Sequence, residues 1–353
     1  MRLVSFSMSP RKTRNSLFIT AWTALLLLAG AVGALAQKPT PTPRPSGTPI
    51  EESGGSTKVF EVRLPVTITQ KGADKKDHLV PGLTKNDFQV LEDGIPQEVT
   101  FFSDEKTNPP VYVGVLMDTS PSTAGKLAFE KEAALNFIYE VLEARKDKAA
   151  FMTFDNEINL RQDFTESTGQ IQKAVDSVKR TGSQTALYDA IWQFTDEKLR
   201  SVPGRKVVVV ITDGDDTFSR ADMNDVIDIA QRTETTIFAI STKGGFLGSV
   251  PGVEGGTSRD RGDKSLTELC ENTGGTVFFP TNSSQDQMLN LERAFKGISD
   301  EIKGQYVITY RPANQELDGR TRKVEVRLVH ADNPKQYKIH TKASYRAIKD
   351  VLK

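Results

Sequence analysis

Oxygen-bearing side chains are concentrated in one short run of the chain. Asp118, Ser120 and Ser122 alternate directly after an apolar stretch that extends from Val111 to Met117. A carboxylate and two hydroxyls in one tight loop are hard oxygen donors, which suit Mg²⁺, Mn²⁺ or Ca²⁺ rather than zinc. This spacing predicts a divalent-cation site just beyond the end of a strand.

Two further donors lie downstream. Thr185 precedes a helical pattern, and Asp213 follows the apolar run 207–212. If 111–117 and 206–212 are parallel strands, Asp118 and Asp213 lie past their carboxyl ends, which share the sheet edge where ligands bind. Singly, each residue has a simpler interpretation as a helix cap or a turn. Together, they favour a shared metal site.

The three pieces resemble the metal-ion-dependent adhesion site of von Willebrand factor A-type domains. The resemblance covers about 109–303 and implies an α/β fold with a Rossmann-like, doubly wound, mostly parallel sheet. It also implies Mg²⁺, or Mn²⁺ or Ca²⁺, as the bound ion. The ligands it implies are Asp118, Ser120 and Ser122 in a first loop, Thr185 in a second and Asp213 in a third. For Asp215 and Asp216 a supporting role and a solvated acidic turn both stay open.

The donor types indicate what such a site does. Hydroxyls are weak neutral ligands. If Ser120, Ser122 and Thr185 bind directly while the carboxylates act through water, the cation keeps much of its charge and an open position. The resemblance therefore implies a non-enzymatic adhesion or complex-assembly module whose protein partner offers an acidic side chain to the metal. Two alternatives stay open: a metal-dependent hydrolase that activates water, and an envelope structural protein whose metal only stabilises the fold. The sequence has no Gly-x-Ser-x-Gly, Walker A or catalytic Cys/His pattern.

The elements that position these residues follow an alternating pattern of apolar strands and amphipathic helices, which is typical of an α/β sheet. The predicted strands are 111–117, 149–154, 206–212, 235–241 and 276–279. The predicted helices are about 124–144, 168–179, 185–200, 220–233, 264–273 and 286–303. Asp155-Asn156 resembles a hairpin turn after the second strand.

The segments on either side have a hydrophobic period of two, which predicts strands in 57–104 and 305–346. Each set alone is small, and lone hairpins are marginal in water. We therefore expect the two sets to pair into one β-module beside the α/β domain. Leu83 to Gly94 and Tyr306 to Pro312 also resemble flanking patterns of a bacterial secreted subfamily of von Willebrand factor A-related proteins.

The first 36 residues differ in kind from the rest. A basic start precedes an apolar run from Leu17 to Leu35, and Ala34-Leu35-Ala36 stands just before Gln37. This pattern predicts a secretory signal peptide, 1–36, and an exported protein; an uncleaved membrane anchor is the alternative. Residues 37–56 form a Pro/Thr and then Gly/Ser linker.

Composition excludes other classes. Basic and acidic residues both number 46, so nothing points to nucleic acid; cleavage after residue 36 removes four basic residues and leaves 42 against 46, a net charge of −4. Cys270 is the only cysteine, so no internal disulfide forms, and its apolar surroundings indicate a buried side chain. The three histidines are scattered without zinc spacing.

Two features lie near the predicted site in sequence. The segment 243–263 is rich in glycine, and it follows the predicted strand 235–241 at the same sheet edge. It is long for a loop, so a partner-selecting surface and an insertion without a role are both consistent with it. Arg261-Gly262-Asp263 matches an integrin-binding tripeptide, for which a chance match is favoured.

Overall fold

The computed structural model describes residues 60–73, 77–123, 127–142, 147–179, 182–242, 261–279, 287–329 and 336–348. The predicted signal peptide and linker lie outside these ranges. Within them, no helix is long and apolar enough to cross a membrane.

The strands and helices have the following bounds. The first five strands are β1 (Val62–Lys71), β2 (Asp77–Leu79), β3 (Phe88–Glu92), β4 (Ile95–Gln97) and β5 (Val99–Ser103). The α/β part contains β6 (Val111–Asp118), α1 (Leu127–Leu142), β7 (Lys148–Phe154), β8 (Ile158–Thr165), α2 (Thr168–Asp176), α3 (Leu187–Phe194), β9 (Arg205–Thr212), α4 (Met223–Thr233), β10 (Thr235–Ser241), α5 (Arg261–Thr273), β11 (Val277–Phe278) and α6 (Gln287–Gly304). The last strands are β12 (Tyr306–Tyr310), β13 (Thr321–Leu328), β14 (Tyr337–His340) and β15 (Ser344–Arg346).

The α/β domain is built on a six-stranded sheet in the order β11-β10-β9-β6-β7-β8. All neighbouring strands are parallel except β7 and β8, which form an antiparallel hairpin. Helices α1, α2 and α6 pack on one face and α3, α4 and α5 on the other, each face with its own apolar core. The predicted doubly wound, mostly parallel fold is confirmed.

The central strand β6 is apolar on both sides because both faces are covered by helices. Val113, Val115 and Met117 belong to the core of one face, and Leu116 belongs to the other. A Cβ atom at Gly114 would lie 2.1 Å from the Phe194 ring, so a glycine is required where α3 crosses this strand. This close packing fixes the height of α3 against the sheet.

The first and last strands form a two-sheet β-module, defined here as β1–β5 and β12–β15. One antiparallel sheet has the order β14-β1-β12-β5, with β2 beside β1, and the other has the order β15-β13-β3-β4. N-terminal and C-terminal strands pair with each other in both sheets, as in the pairs Val62↔Tyr310 and Val324↔Glu92. Both sheets contribute to one apolar core. The predicted pairing of the two flanks is therefore confirmed.

The structure departs from the sequence-based expectations at three places. Strand β8 was not predicted, although Ile158, Leu160 and Phe164 alternate with polar residues; it is an edge strand whose residues are all partly or fully exposed. The predicted helix 185–200 begins at Leu187 and changes to a π-helical turn at Thr195–Leu199. The strands predicted in 305–346 include the alternating run 337–343, which is interrupted after His340, where the chain passes from one sheet of the β-module to the other.

Candidate metal site

Asp118 is the last residue of β6 and is fully buried. Its Oδ1 accepts a hydrogen bond of 2.8 Å from the backbone N–H of Ser120, which folds the chain into a tight loop. The Ser120 and Ser122 hydroxyls lie 3.0 Å apart. The structure thus brings together the three donors of the first loop, defined as 118–122, although Ser120 is buried and Ser122 is exposed.

Thr185 lies in a second loop, 182–186, which is hydrogen-bonded to the first. The backbone N–H of Gly182 donates to the carbonyl of Thr119 over 2.8 Å. Thr185 is only 5 % exposed, and among the described residues its hydroxyl has no hydrogen-bond partner. This oxygen is therefore available to bind a ligand.

Asp213 opens a third loop, 213–219, directly after β9. It is 7 % exposed, and its Oδ1 accepts from the backbone N–H of Asp215 over 3.2 Å. The Thr217 hydroxyl accepts a hydrogen bond of 2.9 Å from the backbone N–H of Thr185. The carbonyl of Thr185 in turn accepts from the N–H groups of Thr217 and Phe218. The second and third loops are therefore fastened to each other.

Electrostatics at the site favours a cation. Burial raises the pKa of Asp118 to about 6, hydrogen bonds from Thr212 and Ser120 oppose the rise, and the nearby charge of Asp213 adds to it. Two carboxylates held this close repel each other when both are ionised. No lysine, arginine or histidine of the described chain forms an ion pair with Asp213. A divalent cation would relieve this repulsion.

The donor set fits a hard cation of the Mg²⁺ class. It offers two carboxylates and three hydroxyls, all oxygen ligands, at the edge of the sheet where three loops meet. The described part of the chain contains no group of three or more His, Cys, Asp or Glu side chains that could hold a metal. The predicted set differs from such a group, because most of its donors are hydroxyls.

Several hydrogen bonds that organise the site were not predicted from the sequence. The hydroxyl of Thr119 donates to the carboxylate of Asp155 over 2.7 Å, which joins the first loop to the β7–β8 turn. Asp216 Oδ1 accepts from the N–H of Leu187 over 2.8 Å and from the hydroxyl of Ser219 over 2.6 Å. Asp216 therefore caps the start of α3 from another loop. This contact favours the supporting role over the solvated acidic turn.

The Arg261-Gly262-Asp263 tripeptide lies in the first turn of α5. Gly262 is buried, and the Asp263 carboxylate accepts a hydrogen bond of 2.7 Å from the hydroxyl of Ser241 at the end of β10. An integrin-binding tripeptide has to be exposed at the surface. This one lies in a helix, and its Asp263 carboxylate is hydrogen-bonded to Ser241. Residues 243–260, on which the predicted partner-selecting loop falls, lie outside the described residues.

Comparison with known proteins identifies the domain. The family model of the von Willebrand factor type A domain matches residues 113–293. The chain belongs to this family, as the resemblance of the three loops predicts. Membership indicates a protein-interaction module. The chain has no match among curated proteins.

Solved structures with similar folds come from several organisms. An aerotolerance-related membrane protein from Bacteroides fragilis is 18 % identical, covers 54 % of this chain and 98 % of its own, and has a TM-score of 0.42. The von Willebrand factor domain of a type V pili tip protein from Porphyromonas gingivalis is 13 % identical, with coverages of 56 % and 96 % and a TM-score of 0.41. A von Willebrand factor type A protein from Catenulispora acidiphila is 13 % identical, with coverages of 83 % and 76 % and a TM-score of 0.41.

Proposed function

We propose that this protein is an exported, metal-dependent binding module for a protein partner. A divalent cation, Mg²⁺ or else Mn²⁺ or Ca²⁺, is held at the sheet edge and receives an acidic side chain of the partner at its open position. The observation that carries the proposal is the hydrogen bonding of the three loops to one another around buried oxygens. The ligands are Asp118, Ser120, Ser122, Thr185 and Asp213.

The choice of ligands explains binding rather than turnover. If the neutral hydroxyls of Ser120, Ser122 and Thr185 bind the cation directly while the carboxylates act through water, the cation keeps much of its charge, so an anionic group from outside is attracted to it. Mg²⁺ usually retains exchangeable water positions, which a partner carboxylate can occupy. The residues of this chain hold and orient the ion, and the partner completes its shell.

Titration calorimetry with Mg²⁺ and Mn²⁺ tests the site. We expect the wild-type protein to bind one ion, and Asp118→Asn to lose binding because a negatively charged ligand becomes neutral. Asp300→Asn is the matched control, since Asp300 is a partly exposed residue on α6 that pairs with Lys296. Equal affinity of the Asp118 variant and the control, or no divalent binding by the wild type, contradicts the proposal.

A partner-capture experiment separates the proposal from its two alternatives. Immobilised protein is incubated with an envelope extract in Mg²⁺ or in EDTA, beside the Asp118→Asn variant. A binding module retains partners only with metal and only in the wild type. Metal-dependent hydrolysis of model phosphoesters would instead support a hydrolase. Metal-dependent melting without capture would support a structural ion.

Export is proposed from the N-terminal sequence. Cleavage between Ala36 and Gln37 would release a chain whose α/β domain meets its partner outside the cytoplasm. Intact-mass measurement of protein from the native cell should give a chain that starts at Gln37. A full-length mass recovered in the membrane fraction would support the anchor instead.

Partner selection is proposed for the glycine-rich segment 243–263, of which 261–263 form the first turn of α5. It follows β10, whose carboxyl end lies at the same sheet edge as Asp118 and Asp213. Replacing Phe246 to Val253 with a short Gly/Ser linker should leave metal affinity intact and abolish partner capture. Unchanged capture by this variant would exclude the role.

A further inference from the structure

A cleft separates the α/β domain from the β-module at the end of the sheet opposite the candidate metal site. It lies where β9 and β10 begin, beside the C-terminus of α4. The β-module contributes Arg63 of β1, Gln305 just before β12 and Lys342 between β14 and β15. Lys206 and Glu234 approach from the α/β domain. The cleft is thus built by both parts of the molecule.

Positive charge exceeds negative charge in this cleft. Its lining contains Arg63, Arg205, Lys206 and Lys342 but a single carboxylate, that of Glu234. Glu234 forms an ion pair of 2.9 Å with Arg63. It acts on Lys206 and Lys342 only through longer-range attraction. One carboxylate cannot neutralise this group of cations.

Lys342 is the central observation. It is 5 % exposed, and its ammonium forms no hydrogen bond or ion pair with any residue that the structure describes. The nitrogen lies 5.9 Å from the centre of the Tyr345 ring, which is a weak contact for a buried cation. Burial lowers the pKa of Lys342 to about 8, with Glu234 opposing the shift and Arg63 adding to it. The group is therefore mostly charged at neutral pH.

Two further donors of the cleft are also buried without an acceptor. The amide nitrogen Nε2 of Gln305 and the guanidinium Nε of Arg63 have no hydrogen-bond partner among the described residues. Buried donors of this kind destabilise a protein unless a ligand or water supplies an acceptor. Together with the ammonium of Lys342, these donors favour an acceptor-rich group that carries negative charge.

The size of the cleft limits what it can hold. It contains about 30 Å³ of space for water-sized groups, whereas one water molecule needs roughly 10–15 Å³ on the same scale. A nucleotide or a sugar is too large for this space. A tetrahedral oxyanion is compact, and each of its oxygens accepts hydrogen bonds from ammonium, guanidinium and amide donors.

We infer that this cleft binds one small oxyanion of the phosphate or sulfate class, which bridges the α/β domain and the β-module through Lys342, Lys206, Arg63 and Gln305. The anion supplies the missing acceptors on both sides of the cleft. Its binding therefore stabilises the association of the two parts. The inference is independent of the metal site, which lies at the other end of the sheet.

The test is binding of sodium phosphate or sulfate to the purified protein, measured by calorimetry and thermal melting against sodium chloride at equal ionic strength and pH 7. We expect both oxyanions to raise the melting temperature of the wild type. In Lys342→Met the dissociation constant should weaken at least tenfold, while the anion-free variant melts no lower than the wild type. Lys338→Met is the matched control, an exposed lysine of β14 in an ion pair with Asp77.

A second variant and a second anion complete the test. If Lys342→Met fails to fold, Lys206→Met should show the same weakening from the other side of the cleft. Binding of methyl phosphate as tight as that of phosphate indicates a phosphorylated ligand, and its exclusion indicates a free inorganic anion; both support the site. If neither oxyanion raises the melting temperature above that in sodium chloride, the cleft holds only water. That result, or equal gains in the Lys342 and Lys338 variants, overturns the inference.

Discussion

The hydroxyl of Thr212, the last residue of β9, donates a hydrogen bond of 2.6 Å to Oδ2 of Asp118, the last residue of β6. The two strands are parallel neighbours, with Met117 opposite Ile211. The bond therefore connects the ends of adjacent strands in a fully buried place. It orients the carboxylate, because Oδ1 is engaged separately by the backbone of Ser120.

Thr212→Val removes this donor and keeps the shape of the side chain. We expect Mg²⁺ affinity to fall by about 10–100-fold, as it does when the hydrogen-bond partner of a metal ligand is lost. Thr212→Ser, which restores the hydroxyl, should recover most of the affinity. Calorimetry on the two variants checks this, and wild-type affinity in Thr212→Val would show that the bond serves folding alone.

Asp216 links the third loop to the start of α3, next to Thr185. Asp216→Ala should cost about 1 kcal/mol of stability, as expected for a helix cap, and should also weaken Mg²⁺ binding because the second loop loses its support. Asp222→Ala is the matched control, since Asp222 caps α4 through the N–H of Asp225. It should lose similar stability with unchanged Mg²⁺ affinity. Equal metal binding by both variants would limit Asp216 to capping.

The sequence was sufficient to predict the strands that end at the candidate site. Residues 111–117 and 206–212 are apolar on both faces, and such runs indicate buried parallel strands. Their carboxyl ends then bring Asp118 and Asp213 to one edge, as observed. The apolar pattern of each segment, together with the rule that parallel strands end at one edge of the sheet, was sufficient for this prediction.

The contacts that fasten the loops could not be predicted in the same way. The hydrogen bond from Thr119 to Asp155 joins residues 36 positions apart, and the one from Leu187 to Asp216 joins residues 29 positions apart. No local sequence pattern indicates such a pairing. Asp216 lies in an acidic turn that a solvated loop would explain equally well. Which of these polar residues turn inward depends on the packing of α3 against the sheet, which is a property of the tertiary fold.

A buried polar network holds the β-module together. Glu92 Oε2 accepts from the hydroxyls of Tyr310 and Tyr345 over 2.7 and 2.8 Å, and Arg322 donates to Oε1 over 3.3 Å. The side chains of Glu92 and Arg322 are each 4 % exposed. The carboxylate is therefore the acceptor for two tyrosines from different sheets and the counter-charge of the arginine.

Glu92→Gln should lower the free energy of unfolding by about 3–5 kcal/mol, because it leaves the buried Arg322 without a counter-charge. Glu325→Gln is the control, since Glu325 pairs with Arg327 on the exposed side of β13 and should contribute little. Urea unfolding of both variants measures the difference. Similar midpoints for the two would contradict the structural importance of the buried network.

Glu301 makes stability depend on pH. It lies on α6, is 8 % exposed, and accepts a hydrogen bond of 2.8 Å from the hydroxyl of Thr276. Burial raises its pKa from 4.5 to about 7, and the hydroxyls of Thr276 and Thr67 oppose this rise only in part. Between pH 4.5 and 7 the folded protein therefore binds more protons here than the unfolded chain. The contribution of Glu301 to stability falls as the pH rises through this range.

Glu301→Gln removes the ionisable group and retains an acceptor for Thr276. The variant should match the wild type near pH 4.5, where the wild-type carboxyl is protonated. It should then exceed the wild type by roughly 1–3 kcal/mol at pH 8, where the carboxylate is ionised in a buried place. Glu292→Gln, an exposed change on the same helix, should give no such pH-dependent gain. Urea unfolding at pH 5, 6, 7 and 8 measures the difference, and a constant offset between Glu301→Gln and the wild type would show that Glu301 does not titrate in this range.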